Sequence, residues 1–260
     1  MEKIKLGISA CLLGEPVRYD GQHKLDPFLR DTLGRYVDFV PVCPEAEVGL
    51  GIPREAMHLG GDPADPRLVV VKTGIDHTDR MNVWARRRVG QLEQEGLWGF
   101  IFKSRSPSCG TEGVKVFTAN GMAVKAGIGL FAAAFMAHFP LLPVEEEGRL
   151  QYPDLRENFI ERIFTLQRWR EMLAGGKTLR SLIAFHAAHK YLLLSHSEVH
   201  CRRMGKLVAA GRALQTADLF ARYETLLLQA MSLKSTPSRS SSATTGEKKK
   251  TRGDSVGAGL

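Results

Sequence analysis

The feature that most constrains the fold is an alternation of short apolar runs with longer helical stretches over residues 1–144. Four runs have the length of buried strands: KIKLGIS, VDFVPV, LVVVK and WGFIF. Three segments between or after them have helical character: DPFLRDTLGRY, DRMNVWARRRVGQLEQEG and GIGLFAAAFMAHF. Strands that alternate with helices are typical of α/β units around a parallel sheet. We therefore expect an α/β domain over residues 1–144, with a mainly parallel sheet and flanking helices.

The pattern changes at about residue 145 and becomes helical as far as residue 233. Leu155, Phe159, Ile163 and Leu166 recur at spacings of three and four, as on one face of a helix. Similar patterns follow along the chain, and a Gly-Gly pair at 175–176 is a plausible helix stop. We expect a small all-α domain over residues 145–233, with the EEE run at 145–147 as a solvated linker or a helix start.

Residues 234–260 are rich in Ser, Lys and Gly and have no apolar periodicity, so we expect a disordered basic tail. This tail has six basic and two acidic residues, and therefore carries +4 of the formal net charge of +8. Half of the net positive charge thus lies in this tail, and the other half is spread over the remaining 233 residues. Nucleic acid is a possible partner on this ground, but it is not the favoured one.

The chain has no apolar stretch of the roughly 20 residues that a membrane span requires. Its start, MEKIKLGISACLLG, lacks an apolar region followed by a small-residue cleavage site. We expect a cytoplasmic protein with no membrane partner. Four cysteines are too few for a disulfide scaffold in a chain of this size, and they indicate a metal, a catalytic thiol or core residues.

Three of the cysteines, Cys11, Cys43 and Cys109, each lie at or shortly after the end of a predicted strand. If these strands are parallel neighbours, the three thiols converge on the sheet edge where ligands of open α/β sheets usually bind. No CxxC pair is present to indicate structural zinc. Three thiolates suit a [4Fe-4S] cluster with one open iron. On spacing alone, buried core cysteines are the commoner explanation.

The segments around these cysteines are SACLLGEPVRYDG, CPEAEVGLGIPR and KSRSPSCG, and a further segment is GIDHTDRM. In this order, over roughly residues 3–143, they resemble the thiouracil desulfidase family. The resemblance implies that Cys11, Cys43 and Cys109 hold a [4Fe-4S] cluster whose fourth iron takes sulfur from a thiolated pyrimidine, a small-molecule substrate. It also implies that Glu45 and Ser106 are the catalytic residues.

Further candidates are Ser9, Arg18 and Arg54, which lie in the same segments and would bind cluster sulfides or a substrate carbonyl or phosphate. In isolation, Glu45 reads as a helix cap or a surface acid. Ser106 in isolation reads as a turn residue beside a proline. Glu45 and Ser106 become site candidates only because they stand in the same resembling segments as the cysteines.

The helical half resembles the YbgA-like domain in three stretches: EEGRL, LRENFIERIF and FHAAHKYLLLSHS. Such domains normally continue past the point that corresponds to about Leu233 with another helical segment. Here the chain passes into the low-complexity residues, so the resemblance implies an incomplete domain.

The sequence therefore predicts an iron–sulfur-dependent, non-redox desulfidase that replaces C=S by C=O in thiolated uracil bases, nucleosides or nucleotides and releases hydrogen sulfide. The alternative is a nucleic-acid-associated protein that recognises modified RNA or DNA, with structural cysteines. Binding of RNA or DNA that weakens steeply with salt concentration would favour the alternative. Turnover of a free small molecule would favour the desulfidase.

Overall fold

The computed structural model describes residues 3–118 and 120–233, so the predicted tail lies outside the described residues. The strands are β1 (Ile4–Ser9), β2 (Val37–Val42), β3 (Met57–Asp62), β4 (Asp65–Val70), β5 (Phe100–Phe102), β6 (Val114–Phe117), β7 (Ala123–Gly127) and β8 (Val144–Glu146). The helices are α1 (Pro44–Glu47), α2 (Thr78–Glu95), α3 (Leu130–His138), α4 (Pro153–Ala174), α5 (Leu179–His196), α6 (Glu198–Ala209) and α7 (Thr216–Ser232). None of the described helices is both long and apolar enough to cross a membrane.

The first sheet has the order β2-β1-β5-β8, and all its pairs are parallel. β1 lies inside this sheet and is buried along almost its whole length, as expected for a parallel strand covered on both faces. The predicted α/β class with a parallel sheet and flanking helices is confirmed, as is the run of helices that follows it.

A second sheet, with the order β4-β3-β6-β7, was not predicted. It consists of two antiparallel hairpins whose inner strands pair in parallel. The LVVVK run belongs mostly to β4 in this sheet and not to the parallel sheet. The signal for β3 is weak because Gly60 and Gly61 interrupt it, and glycine in a strand offers no side chain to pack.

Each face of the parallel sheet has its own apolar core. On one face, α2 and α3 pack against the sheet, and Phe100, Phe102, Phe131 and Phe135 form a cluster of aromatic contacts. On the other face, apolar side chains of β1 pack with α4 and with residues 28–35. The predicted helix DPFLRDTLGRY forms one π turn and one 3₁₀ turn there, not a regular α-helix.

The helix α4 takes part in two cores. Phe159 and Ile163, near its middle, pack on the parallel sheet beside Ile4 and Leu6. One turn and a half further on, Trp169 is buried among the side chains of α5, α6 and α7. The helix ends at Gly175, as the Gly-Gly pair predicted. The α/β and helical halves are thus joined by a continuous helix that both of them pack against.

The EEE run at the junction is not a solvated linker, so that expectation was wrong for Glu146. Glu146 is the last residue of β8 and is buried. Its carboxylate accepts hydrogen bonds from the Thr111 backbone nitrogen at 2.6 Å and the Thr111 hydroxyl at 3.0 Å, which offset the burial of its charge. The division of the chain at 144/145 stays a prediction, and β8 runs across it.

Candidate active site

The ends of three neighbouring parallel strands bring Cys11, Cys43 and Cys109 to one edge of the first sheet. Cys11 follows β1 in a 3₁₀ turn, Cys43 directly follows β2, and Cys109 lies in the loop after β5. Because β1 pairs with both β2 and β5, these ends are adjacent in space although the residues are far apart in sequence. The carboxyl edge of such a sheet is the usual place for a ligand.

A cavity of about 500 Å³ opens at this edge. All eight residues that the sequence proposed for the site line it: Ser9, Cys11, Arg18, Cys43, Glu45, Arg54, Ser106 and Cys109. The wall also contains residues that the sequence did not propose, among them Tyr19, Lys24, Met57, Lys103 and Ser104. Lys103 and Ser104 begin the KSRSPSCG segment, which also contains Ser106 and Cys109. Their position in this segment could have indicated that they line the cavity.

All three thiols are free. Burial raises the pKa of Cys11 to about 11, and the nearby Cys43 adds to the increase. Burial also raises the pKa of Cys43, and it raises that of Cys109 well above the usual range, where both other thiols contribute. The three groups are thus close enough to influence one another. They favour the neutral form unless a cationic centre is bound, and metal ligation requires the thiolate.

The donor set fits an iron–sulfur cluster. Three soft sulfur donors share one cavity wall, and soft thiolates are the ligands that such clusters select. Within residues 3–118 and 120–233, no group of three or more His, Cys, Asp or Glu side chains is arranged to hold a single metal ion. A cluster places its ligands on different irons, and therefore needs thiols around a cavity and not around one point.

Glu45 is held in the first turn of α1 by two partners, Arg54 from the following loop and Ser108 from a distant part of the chain. Its Oε2 accepts hydrogen bonds from Nε and Nη2 of Arg54, at 2.9 and 2.6 Å. Its Oε1 accepts a hydrogen bond from the Ser108 hydroxyl at 3.0 Å. An ionised carboxylate has about four acceptor positions. Three donors therefore leave Glu45 with room for one more, such as a water molecule.

Arg54 uses all three of its guanidinium nitrogens on protein atoms. Besides Glu45, it donates to the backbone oxygens of Gly51 and Val17, each at 3.0 Å. Its side chain is only 6% exposed. The structure brings Arg54 to the cavity, as the sequence proposed, but these contacts suit an orienting partner of Glu45 better than a substrate ligand.

Ser106 and Ser108 have different tasks in the loop that carries Cys109. The Ser106 hydroxyl oxygen accepts hydrogen bonds from the backbone nitrogens of Ser108 and Cys109, at 3.2 and 3.1 Å. With both lone pairs engaged, this hydroxyl can act towards a ligand only as a donor. Ser108 is fully buried, and its contact with Glu45 was not predictable from the sequence, because the two residues are 63 positions apart.

Ser9 connects two strand ends at the floor of the site. Its hydroxyl oxygen accepts a hydrogen bond from the Lys103 backbone nitrogen at 2.9 Å, which ties the end of β1 to the end of β5. A hydrogen bond from the Ser9 side chain also lowers the pKa of Cys109, although burial outweighs it. Ser9 therefore lies beside the Cys109 thiol as well as in the cavity lining.

Arg18 lines the cavity and forms an ion pair with Asp20. Its Nε lies 3.4 Å from Oδ1 of Asp20, and its guanidinium carbon lies 5.4 Å from the centre of the Tyr19 ring. This Nε is buried and makes no hydrogen bond with any residue that the structure describes. Among the proposed substrate ligands, Arg18 thus has the most suitable surroundings for an oxygen acceptor.

The fourth cysteine is not part of the site. Cys201 is buried in α6, within the core of the helical half, and its thiol lies 3.8 Å from the backbone oxygen of Lys190. Its distance from the parallel sheet makes it a natural control for the other three thiols.

Comparison with known proteins gives two family matches. A family model described as 2-thiouracil desulfurase matches residues 6–147, and one described as a protein of unknown function (DUF1722) matches residues 190–245. The uncharacterized protein YbbK of Bacillus subtilis (strain 168) is 28% identical over 131 residues, which are 48% of this chain and 85% of YbbK. A solved structure of TudS, a [4Fe-4S]-dependent thiouracil desulfidase, is 33% identical, with a TM-score of 0.48, over 59% of this chain and 96% of that chain.

Proposed function

Because the chain belongs to the 2-thiouracil desulfurase family, we propose that it replaces C=S by C=O in thiolated uracil bases, nucleosides or nucleotides. The reaction consumes one water and releases hydrogen sulfide, so no external oxidant or reductant is needed. The observation that carries the proposal is the meeting of three free thiols and the Glu45 carboxylate at one cavity.

In this proposal Cys11, Cys43 and Cys109 hold a [4Fe-4S] cluster, the cofactor named for the desulfidase TudS. A bound cluster supplies a soft Lewis acid that makes sulfide a better leaving group. All three ligands reach the cavity from one edge of one sheet, which leaves the rest of the wall for the substrate.

Glu45 acts as the general base and acid. For a pyrimidine bound as its ring-deprotonated thiolate, the remaining acceptor position of Glu45 takes a proton from the water that attacks the ring carbon bearing sulfur. The carboxyl group returns that proton to the ring nitrogen, and the second proton of the water leaves with the sulfide. Arg54 and Ser108 hold both carboxylate oxygens, so the base keeps one orientation throughout the reaction.

Ser106 and Arg18 orient the pyrimidine. The Ser106 hydroxyl, with its lone pairs occupied by backbone N–H groups, donates to a ring oxygen or to the attacking water. The Arg18 guanidinium donates to a substrate carbonyl or phosphate oxygen. Ser9 holds the Cys109 side chain by a hydrogen bond, and Arg54 contributes by orienting the Glu45 carboxylate.

The first test is the iron and acid-labile sulfide content of the anaerobically purified full chain, followed by sulfide release from 2-thiouracil and 4-thiouracil. We expect about four irons per chain and turnover of at least one compound. A protein that takes up no iron even after reconstitution contradicts the cofactor. A loaded protein without sulfide release contradicts the substrate class.

The alternative indicated by the sequence is a nucleic-acid-associated protein with structural cysteines, and it predicts different results. It requires salt-dependent binding of modified RNA or DNA and no dependence on iron. Although Cys11 and Cys109 are largely buried, all three cysteines line one cavity, which favours the desulfidase.

A further inference from the structure

The loop that carries Cys109 is held at its start by a carboxylate from the junction with the helical half. Glu147, the residue after β8, accepts hydrogen bonds from the Ser104 backbone nitrogen and the Ser104 hydroxyl, both at 2.7 Å. It also forms an ion pair with the Lys103 ammonium, and its backbone nitrogen donates to the Phe102 carbonyl oxygen at 3.2 Å. Glu147 thus contacts the three residues at which β5 passes into the loop.

These contacts are shielded from water. The side chains of Lys103 and Glu147 are 18% and 14% exposed. Lys103 and Ser104 themselves line the cavity, and the Lys103 backbone nitrogen is bound by Ser9. Charge-assisted hydrogen bonds at such sites are stronger and more directional than those at the surface. The position of this wall of the cavity therefore depends on Glu147.

We propose that Glu147 is a positioning residue of the active site: it fixes Lys103 and Ser104 and so sets the path of the loop to Ser106 and Cys109. This inference rests on the proposed function for its effect on catalysis. Its effect on the loop does not need that function. It also gives the EEE run a role in the site, at the end of the stretch that the 2-thiouracil desulfurase family model matches.

The neighbouring glutamate offers a matched control. Both donors to Glu146 come from Thr111 and meet a single oxygen, Oε1, so the carbonyl oxygen of a glutamine can accept both. Glu147 uses both oxygens, since Oε1 takes the ammonium and the hydroxyl and Oε2 takes the backbone nitrogen. A glutamine there must turn its NH2 group either towards the Lys103 ammonium and the Ser104 hydroxyl, or towards the Ser104 N–H, so in either orientation it places a donor against a donor.

The experiment compares Glu147→Gln with Glu146→Gln in the reconstituted full chain. For Glu147→Gln we expect kcat for the thiouracil substrate to fall about tenfold, with KM within about twofold and iron content unchanged, because the reacting groups lose their alignment while the substrate contacts remain. For Glu146→Gln we expect both constants within about twofold of the parent protein. Equal effects of the two substitutions, or no effect of Glu147→Gln, would overturn the inference.

A second readout does not require turnover. In the full chain before reconstitution, the alkylation rate of Cys109 is compared with that of Cys201 by peptide mass spectrometry. Both thiols are buried, and Cys201 reports general unfolding. We expect Glu147→Gln to raise the Cys109 rate about tenfold relative to Cys201, because the loop opens more often, and Glu146→Gln to leave the ratio unchanged.

If Glu147→Gln does not fold, Ser104→Ala decides the question. This substitution removes only the hydroxyl donor, and we expect it to raise the alkylation ratio about threefold. An unchanged ratio would overturn the inference. If the parent protein releases no sulfide, the proposed function fails, and the alkylation ratio still decides whether Glu147 positions the loop.

Discussion

Arg54 binds Glu45 through a single oxygen atom: its Nε and Nη2 both donate to Oε2, at 2.9 and 2.6 Å. Oε1 therefore keeps only the Ser108 hydroxyl as a partner in the described structure. The asymmetry makes Oε1 the oxygen with spare acceptor capacity, and thus the natural site for a proton from water.

Arg54→Lys should impair the chemistry without removing the cofactor. An ammonium cannot form the planar fork, so the Glu45 carboxylate loses its fixed orientation, and we expect kcat to fall roughly 100-fold. Iron content should stay that of the parent. Arg30→Lys is the control, because Arg30 also donates from Nε and Nη2 to one carboxylate, that of Asp31, but on the exposed surface and to both of its oxygens. Similar activity of the two variants would count against the orienting role.

Glu45→Gln should keep the cluster and lose turnover. The amide retains the size of the carboxylate but cannot take a proton from water, and general-base catalysis typically contributes 10²–10⁴-fold, so we expect a loss of about that size. Sulfide release and iron content are measured on the same sample. Glu55→Gln, on the exposed surface, is the control. Substantial turnover by Glu45→Gln would remove Glu45 from the mechanism.

Cys11→Ala, Cys43→Ala and Cys109→Ala should each reduce the iron content to background together with the activity, because the cluster loses one of three protein ligands. Cys201→Ala should retain iron, since its thiol lies in the helical core. Iron and acid-labile sulfide assays after reconstitution give the answer. Loss of iron from the Cys201 variant would show that the ligand assignment is wrong.

Gly129→Ala should destabilise the protein and disturb the site. A methyl group at Gly129, just before α3, would lie 2.5 Å from the Ser108 carbonyl carbon and 2.6 Å from the Cys109 nitrogen, so the loop must move. We expect the free energy of unfolding to fall by about 2 kcal/mol in urea titrations, with reduced iron uptake.

Gly90→Ala is the matched control for this glycine. Gly90 lies inside α2, and a methyl group there would meet no atom within 4 Å apart from its chain neighbours and the nearby backbone of its own helix. Because alanine favours helix, we expect this variant to be more stable by about 0.5–1 kcal/mol. If Gly129→Ala is as stable as Gly90→Ala, the short distance between Gly129 and the Ser108–Cys109 backbone does not require a glycine at position 129.

The predicted domain division can be tested with two fragments. A fragment ending at residue 144 lacks most of β8 and all of α4, whose Phe159 and Ile163 cover the first sheet. A fragment ending at residue 174 keeps both elements. We expect the shorter fragment to be less stable by at least about 3 kcal/mol in urea titrations, from the burial of two large side chains. Equal stability would support independent folding of residues 1–144.

The sequence allowed much of the parallel sheet to be predicted. β1, β2 and β5 are mostly apolar runs, and β1 and β5 are buried along almost their whole length, as strands covered on both faces must be. The hairpins of the second sheet gave weaker signals, because exposed and glycine-containing strands share their composition with loops. The thiouracil desulfidase resemblance over about residues 3–143 is confirmed by the family match over residues 6–147.

The site was predictable where its residues stand in quoted motifs, and all eight proposed residues line the cavity. Their individual roles stay predictions. What the sequence did not reveal were partners set by tertiary contacts, such as Ser108 for Glu45 and Glu147 for Ser104. A serine in a turn and a glutamate in an acidic run have many ordinary uses, and only the folded chain selects among them.

The arrangement of the three thiols also fixes an order of events during biogenesis. Cys11, Cys43 and Cys109 are 32 and 66 positions apart, and only the pairing of β1 with both β2 and β5 brings them together. Closing such long segments is a slow, late step for a chain. In the proposed function, the central sheet must form before the three thiols can hold a cluster together, and the visible absorption of that cluster would report the folding of the sheet.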